Sequence, residues 1–190
     1  GSEMCIRDSG YAVRFNEKNV RAMGRTASGV KAINLKDDDV AVCMDIAVDG
    51  EELLVISENG FGKRTPVSEY KVQNRGGVGL ITYKISEKTG KLTGATICKV
   101  DDELMLINSS GVAIRINVSD ISVTSRATMG VRLMRTGDEE TIVAIAKISS
   151  TGEEEKDEQL TIDAIAGSEV AVEVKDNSLD KLLEEAEKEE

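Results

Sequence analysis

The chain has 190 residues and a formal net charge of −11, and it contains neither histidine nor tryptophan. The missing histidine excludes a Ser-His-Asp triad, a histidine general base and a histidine-ligated zinc site. Hydrophobic residues make up 40% of the chain, but aromatic residues make up only 3%. A core of this kind depends on Val, Ile, Leu and Ala, which favours β-sheet.

The three cysteines are far apart, and Cys43 and Cys98 lie inside apolar runs, as reduced buried thiols usually do. The sequence shows no disulfide framework, no signal peptide and no apolar stretch long enough to span a membrane. We therefore expect a cytoplasmic protein with no membrane partner.

The first ten residues begin in the middle of a pattern. Met4-Cys5-Ile6 aligns with Leu54-Val55-Ile56, as the last strand of an earlier unit would. Residues 1–10 are therefore expected to be the end of a preceding blade or a remnant of cloning, in a chain that is a piece of something longer.

Four positions then recur at intervals of 50 and 51 residues. Each unit opens with a glycine followed four residues later by an arginine, and a second arginine stands four residues before a second glycine. These anchors are Gly10, Arg14, Arg25 and Gly29, then Gly60, Arg64, Arg75 and Gly79, then Gly111, Arg115, Arg126 and Gly130. Apolar runs separated by polar turns complete about four strands per unit, which is typical of a propeller blade. The sequence therefore predicts an all-β body of about three blades over residues 11–150.

The second unit contains the most distinctive loop, in the sequence FGKRTPVSEYKVQNRGGVGLITYK from Phe61 to Lys84. A basic pair, Lys63-Arg64, stands near its start. Farther along, Gln73-Asn74-Arg75 precedes three glycines in four positions, Gly76, Gly77 and Gly79. Such a loop can take positive φ and lets another backbone approach closely, as in an ordinary hairpin. Its recurrence in three units indicates more than a turn.

Charge is divided between the two halves of each unit. Residues 11–36, 61–84 and 112–135 hold 15 bases and 3 acids, whereas 37–60, 85–110 and 136–150 hold 15 acids and 4 bases. Units stacked side by side would align the bases into a stripe. A regular stripe of arginines suits the phosphates of duplex DNA. The alternative is that these bases are solvated surface charges paired with acids on neighbouring strands.

The three units, with these glycine and arginine anchors, resemble blades of the C-terminal domain of the bacterial DNA gyrase A subunit over residues 10–150. The resemblance implies a β-pinwheel, a propeller variant in which strands are exchanged between blades. It also implies that a basic outer rim bends duplex DNA without reading its sequence, in support of ATP-dependent negative supercoiling. The sequence QNRGGVG is similar to the family's box motif, with Asn74 and Val78 at positions where the family has basic residues.

The resemblance also assigns partners and sites. The expected DNA-binding residues are Arg14, Arg25, Lys63, Arg64, Gln73, Arg75, Gly76, Gly77, Gly79, Arg115 and Arg126. A parent enzyme of this kind would bind ATP and Mg elsewhere and assemble with the gyrase B subunit. We expect no catalytic residue, metal site, cofactor or small-molecule substrate in this chain. Two alternatives stay open: the equivalent domain of topoisomerase IV, and a protein-interaction propeller that binds no nucleic acid.

The repeat stops at residue 150, and residues 151–190 form an acidic tail with 15 acids and 4 bases. Leu179, Leu182, Leu183 and Ala186 share one helical face, so the stretch from Ser178 to Glu190 is expected to form a short terminal helix. The tail is either a solubilising extension or a polyanion that competes with DNA for the basic rim.

Overall fold

The computed structural model describes residues 1–36 and 38–150. The acidic tail and its expected helix lie outside the described residues. Inside them the secondary structure consists of β-strands and three short 3-10 turns, at Glu17–Asn19, Val67–Glu69 and Val118–Asp120. The prediction of an all-β fold is therefore confirmed.

Eleven strands occur in the described residues. They are β1 (Ser2–Arg7), β2 (Tyr11–Asn16), β3 (Ala41–Ala47), β4 (Glu52–Ser57), β5 (Phe61–Pro66), β6 (Leu80–Ile81), β7 (Leu92–Cys98), β8 (Glu103–Asn108), β9 (Ala113–Asn117), β10 (Val131–Arg132) and β11 (Ile142–Ile148). The hairpins β1–β2, β4–β5 and β8–β9 are the centres of three sheets, which we number one to three.

The three antiparallel sheets exchange strands. Their orders are β3-β1-β2-β6, β7-β4-β5-β10 and, within the described residues, β11-β8-β9. Strand β6 follows the second hairpin along the chain but pairs with β2 of the first sheet. Strand β10 follows the third hairpin and pairs with β5 of the second sheet. The exchange that the family resemblance implied is therefore present at both junctions between sheets.

The glycines that open the first two units make this exchange possible. Gly10 and Gly60 have φ of +83° and +76°, which a residue with a side chain rarely adopts. The Gly10 carbonyl accepts hydrogen bonds from the backbone N–H groups of Thr82 and Tyr83, in the next unit. A Cβ atom on Gly10 would lie 2.5 Å from the Tyr83 carbonyl oxygen, and one on Gly60 would lie 2.2 Å from that of Met134. The close backbone contact therefore requires glycine.

The hydrophobic core lies between neighbouring sheets, and β4 contributes to its two largest clusters. Leu53 and Val55 belong to a buried cluster that includes residues of β1. Leu54 and Ile56 belong to a second buried cluster that includes residues of β8. Because side chains alternate along a strand, a strand packed on both faces has a continuous apolar sequence, as Leu53–Ile56 does.

Candidate nucleic-acid interface

The segments that contain the second arginine and glycine of each unit are stacked on one another. We call residues 21–35, 71–85 and 122–136 the glycine segments. The Asn34 N–H donates to the Gly77 carbonyl at 2.8 Å, and the Lys84 N–H donates to the Thr128 carbonyl at 3.1 Å. These two hydrogen bonds occupy the same place in the repeat. The three segments therefore form a continuous surface along the array, as the stacking of equivalent half-units predicted.

The second arginine of each unit reaches back to the preceding glycine segment. Arg75 donates from Nη1 to the Lys31 carbonyl at 3.2 Å, and Arg126 donates from Nη1 to the Ile81 carbonyl at 3.3 Å. Both side chains are half-exposed, so part of each guanidinium faces solvent. Arg25 is exposed and makes no hydrogen bond or ion pair inside residues 1–36 and 38–150. These three arginines therefore lie on the stacked surface.

The first arginine of each of the first two units is buried, contrary to the expectation that it lies on an exposed rim. Arg14 is 9% exposed and pairs with Asp49 at 2.7 Å, and it also donates to the carbonyls of Val67 and Tyr70, at the start of the turn Val67–Glu69 and directly after it. Arg64 is 6% exposed, pairs with Glu52 at 2.6 Å and donates to the Ile121 carbonyl at 2.7 Å. Each guanidinium thus anchors the turn that follows the next hairpin, which leaves little of it for a phosphate.

Lys63 is also buried, with 0% of its surface exposed, so its expected exposed placement is wrong too. Its Nζ donates to the Ser125 carbonyl at 2.6 Å, to the Arg126 carbonyl at 2.5 Å and to Thr128 Oγ1 at 3.1 Å. Burial lowers the pKa of Lys63 to about 8, with the nearby Arg126 charge acting in the same direction and Glu69 opposing it. Lys63 is therefore bound to the third glycine segment from inside the fold.

The glycines of the second segment allow its backbone to contact the preceding unit closely. Gly76 has φ of +77°, and its N–H donates to the Ala32 carbonyl at 2.6 Å. Gly79 has φ of +87°, and a Cβ there would lie 2.5 Å from the Ala12 carbonyl oxygen. Gly77 is exposed, and its carbonyl accepts the Asn34 hydrogen bond. Backbone contact between neighbouring units accounts for Gly76 and Gly79 without a ligand.

The two remaining predicted site residues differ in exposure. Gln73 is half-buried, and its N–H donates to the Arg14 carbonyl at 2.7 Å. Arg115 is exposed on β9 and forms an ion pair with Glu103. Neither residue lies in the middle of the stacked surface: Gln73 belongs to the start of the second glycine segment, and Arg115 belongs to a hairpin.

The sequence-based prediction started from the arginines beside the glycines, so it did not include six further bases of the glycine segments. They are Arg21, Lys31, Lys71, Lys84, Arg132 and Arg135, and all six are exposed. Together with Arg25, Arg75 and Arg126 they give three bases in each segment, and no segment contains an acid. We call these nine residues the segment cations. Aligning the repeat at every position would have found them, because Arg21 and Lys71, Lys31 and Arg132, and Lys84 and Arg135 occupy equivalent positions.

Ion pairing separates the segment cations from the arginines of the hairpins. Within the described residues, only Arg126 among the nine has a carboxylate partner, Glu69 Oε2 at 4.0 Å. By contrast, Arg7, Arg14, Arg64 and Arg115 each pair with an acid from the complementary half of a unit. The alternative of paired surface charges therefore describes the hairpin bases and does not describe the segment cations.

Membrane-spanning helices and metal clusters are both absent from the described residues. No helix in 1–36 or 38–150 is long and apolar enough to cross a membrane. In the same part of the chain, no group of three or more cysteine and acidic side chains could hold a metal ion.

Comparison with protein families matches most of the described chain. The matching model is the DNA gyrase C-terminal domain, beta-propeller, over residues 8–42, 51–99 and 102–149. The DNA gyrase A subunit of Clostridium acetobutylicum is 53% identical over 164 residues, which is 86% of this chain and 20% of that protein. The DNA gyrase A subunit of Staphylococcus aureus is 44% identical over 153 residues, which is 79% of this chain and 17% of that protein. The chain thus spans about a fifth of the length of these relatives.

Solved structures show the same fold. A DNA gyrase A C-terminal domain matches with a TM-score of 0.73 and 28% identity, and the match covers 78% of this chain and 50% of that one. The C-terminal domain of a DNA topoisomerase IV matches with a TM-score of 0.74 over 78% of this chain and 47% of that one. Its sequence is only 22% identical, so this second match concerns the fold alone.

Proposed function

Because the chain belongs to the DNA gyrase A C-terminal domain family, part of a type II topoisomerase, we propose that its segment cations bind and bend duplex DNA without sequence preference. The observation that supports this most is the composition of the three stacked glycine segments, with nine bases and no acid. Cations on one continuous surface, eight of the nine without an acid partner among the described residues, attract a polyanion and release its counterions on binding.

The burial of the aromatic rings favours a duplex over single-stranded nucleic acid. Single strands are held largely by bases stacked on exposed aromatic rings. Phe15, Phe61, Tyr70 and Tyr83 are each at most 5% exposed, and Tyr11 is half-buried. The described surface thus offers arginine and lysine for phosphates and few rings for bases. Contacts to phosphates carry no sequence information, which suits a protein that bends any duplex.

We propose that this binding wraps DNA for a longer gyrase enzyme in the cytoplasm, where it would act on the chromosome. In that enzyme, wrapping would support negative supercoiling driven by ATP, and the gyrase B subunit would be the partner. ATP and Mg would bind elsewhere in the enzyme. Strand cleavage would also lie elsewhere: the Tyr70 hydroxyl is buried against Thr82 Oγ1, and burial raises its pKa to about 12, so it is a poor nucleophile.

Of the alternatives, the curated relatives at 53% and 44% identity favour gyrase over topoisomerase IV. The other alternative, a protein-interaction propeller without nucleic-acid binding, would be supported if the wild-type chain failed to bind duplex DNA in the following experiment.

The test compares two triple variants of the full chain. Lys31, Lys84 and Arg135, one exposed cation from each glycine segment, are replaced by Gln. We expect the slope of log affinity against log salt to become shallower by about 0.9 for each phosphate that is no longer neutralised. The matched control replaces Lys88, Lys99 and Lys147, exposed bases outside the segments, and removes the same charge. It is expected to leave the slope unchanged.

Two results would contradict the proposal. Equal slopes in the two triple variants would show that net charge, and not the glycine segments, determines binding. Strong discrimination between unrelated duplexes of the same length would show that the protein reads sequence.

A further inference from the structure

Lys63 has a position that the proposed function does not explain. It lies on β5 opposite Val55 and is completely buried, yet it carries an ammonium group. The ammonium has three hydrogens, and the structure supplies three acceptors: the Ser125 and Arg126 carbonyls and Thr128 Oγ1. All three acceptors belong to the third glycine segment.

A buried ammonium is costly unless its hydrogens are bonded. No carboxylate among the described residues lies within 4.0 Å of the Lys63 Nζ, so the carbonyl oxygens compensate for the lost hydration instead of an ion pair. Both carbonyls must be directed at Nζ for this to hold. The side chain therefore constrains the backbone of two consecutive residues, Ser125 and Arg126.

Arg126 is the segment cation held most completely by its surroundings. Its N–H donates to Glu69 Oε2 at 3.2 Å, and its Nη1 donates to the Ile81 carbonyl at 3.3 Å. Its guanidinium carbon lies 6.0 Å from the centre of the Tyr70 ring. Lys63 adds a further restraint, on the Arg126 carbonyl, so the backbone is fixed on both sides of the Cα atom.

The equivalent junction between the first and second sheets works differently. Val13 occupies the place of Lys63 there and packs in an apolar cluster with Cys5, Phe15 and Ile33. The segment above it has Gly76 and Gly77 where the third segment has Ala127 and Thr128. Gly76 bonds directly to the preceding segment, through the Ala32 carbonyl. Of the two described junctions, the lysine is therefore present only at the one where the segment above lacks this pair of glycines.

We propose that Lys63 is a positioning residue that holds the backbone of the third glycine segment so that Arg126 is presented to a DNA phosphate. This inference rests on the proposed DNA-binding function. Lys63 itself makes no contact with DNA. It acts through Arg126, so its effect on binding must disappear when Arg126 can no longer bind a phosphate.

A double-mutant cycle on the full chain tests this dependence. Arg126→Gln is expected to lower affinity for a 30-base-pair duplex about tenfold at low salt, the usual effect of removing one charge-assisted hydrogen bond. Lys63→Met, which keeps the length of the side chain, should lower affinity several-fold in the wild-type background. In the Arg126→Gln background it should change affinity by less than about twofold, the normal limit of additivity.

The control is Lys84→Met, which removes an exposed segment cation. It should lower affinity by the same factor with Arg126 or Gln at position 126. If Lys63→Met also lowers affinity equally in both backgrounds, Lys63 only stabilises the fold and the proposal is wrong. Failure of the wild-type chain to bind duplex DNA would instead contradict the proposed function itself.

A second measurement needs no Lys63 variant and so does not depend on how that variant folds. The charged and titratable groups near the Lys63 ammonium are Glu69, Arg126 and Tyr83, whose ring centre lies 6.0 Å from Nζ. Arginine stays charged throughout the accessible range. As pH rises from about 7 to about 9, Lys63 loses its proton and the affinity ratio of wild type to Arg126→Gln should fall towards one. The ratio of wild type to Lys84→Met should stay constant, and a constant Arg126 ratio would overturn the proposal.

Discussion

At the scale of single residues, burial separates basic side chains of the same type into two roles. Arg14 and Arg64 are buried, and each directs its guanidinium group at one acid and at backbone carbonyls of the fold. Arg25 and Lys84 are exposed and have no acid partner in the described part of the chain. A buried, hydrogen-bonded charge is costly to disturb, whereas an exposed unpaired one is available to a ligand. The same residue type therefore stabilises the array at one repeat position and is exposed for the proposed DNA binding at another.

The first prediction concerns the stability effect of Lys63 and its dependence on pH. The pKa of Lys63 is about 8 in the folded chain, and an unfolded lysine titrates near about 10.4. Between these values the unfolded chain binds one more proton at this site, so Lys63 makes the free energy of unfolding rise with pH. Below about pH 8, Lys63 is protonated in the folded and in the unfolded chain, so its contribution to the free energy of unfolding no longer changes with pH.

Because burial also raises the pKa of Cys98 to about 12 and of Cys43 to about 11, these thiols lower stability as pH increases over the same range. The measurement is therefore the difference in free energy of unfolding between wild type and a variant that keeps both cysteines. Urea unfolding of wild type and Lys63→Met between pH 7 and 9.5 should give a difference that shifts in favour of wild type as pH rises, by at most about 1.4 kcal/mol per pH unit. The corresponding difference for Lys84→Met should be flat. A flat difference for both variants would mean that Lys63 has an ordinary pKa.

The roles of individual bases could be predicted from the sequence only in part. Arg25, Arg75 and Arg126 lie on the stacked glycine segments and repeat at one offset beside glycine, while their DNA binding stays a prediction. Arg14 was misplaced, since its partners are Asp49 and carbonyls more than 50 residues away in the next unit. Its position opposite Met4 in the middle of a hairpin was a signal of burial, but only the pairing of strands reveals it.

At the scale of secondary structure elements, the exchanged strands β6 and β10 determine which glycines are essential. Each is only two residues long, so its few ladder hydrogen bonds alone would hold it weakly. Additional backbone hydrogen bonds to Gly10 and Gly60 extend each contact. The contact depends on the absence of a Cβ atom at those positions and at Gly79 and Gly130.

The second prediction compares two glycines with the same backbone conformation. Gly79 and Gly29 have φ of +87° and +79°, so Ala at either position is strained by about 1 kcal/mol or more. A Cβ on Gly79 would lie 2.5 Å from the Ala12 carbonyl oxygen, whereas nothing lies within 4 Å of one on Gly29. Gly79→Ala should therefore cost about 1–3 kcal/mol more than Gly29→Ala in urea unfolding. Equal losses of stability in the two variants would show that the junction between the first two sheets can shift to accommodate the added methyl group.

The number and type of elements were predictable, and their connection was not. A period of about 50 residues with alternating apolar runs and turns predicts repeated β units, as the structure confirms. The sequence Leu80-Ile81 alone does not indicate that this strand joins the sheet of the preceding unit and not the sheet of its own unit. That information came from the family resemblance, because strand exchange depends on contacts between units and not on local propensity.

At the scale of the whole molecule, charge is segregated along the sequence. Residues 1–150 hold as many bases as acids, so the net charge of −11 belongs to the tail at 151–190. A tethered polyanion has a local concentration of roughly millimolar near a surface on the same chain. That concentration is enough to compete with non-specific DNA binding, whose Kd is of the order of 10⁻⁴–10⁻⁶ M.

The third prediction is that the acidic tail competes with duplex DNA. Deleting 151–190 should raise affinity for duplex DNA at low salt, and the gain should shrink as salt rises because screening weakens both contacts. A matched control keeps the length of the tail and replaces its acids with Gln and Asn. It should bind DNA as the deletion does. Equal affinities with and without the acidic tail at low ionic strength would leave it as a spacer.

The exchange of strands also has a mechanical consequence. A duplex bent over 20–30 base pairs stores about 1–6 kcal/mol of elastic energy and pulls on the groups that hold it. Arg75 is covalently continuous with the second sheet, while β6, five residues farther along, is hydrogen-bonded into the first. A pull on Arg75 is therefore shared by two sheets and by the core between them. In the proposed complex, tension from the DNA would load the junctions between units together, and the array would resist straightening as one elastic body.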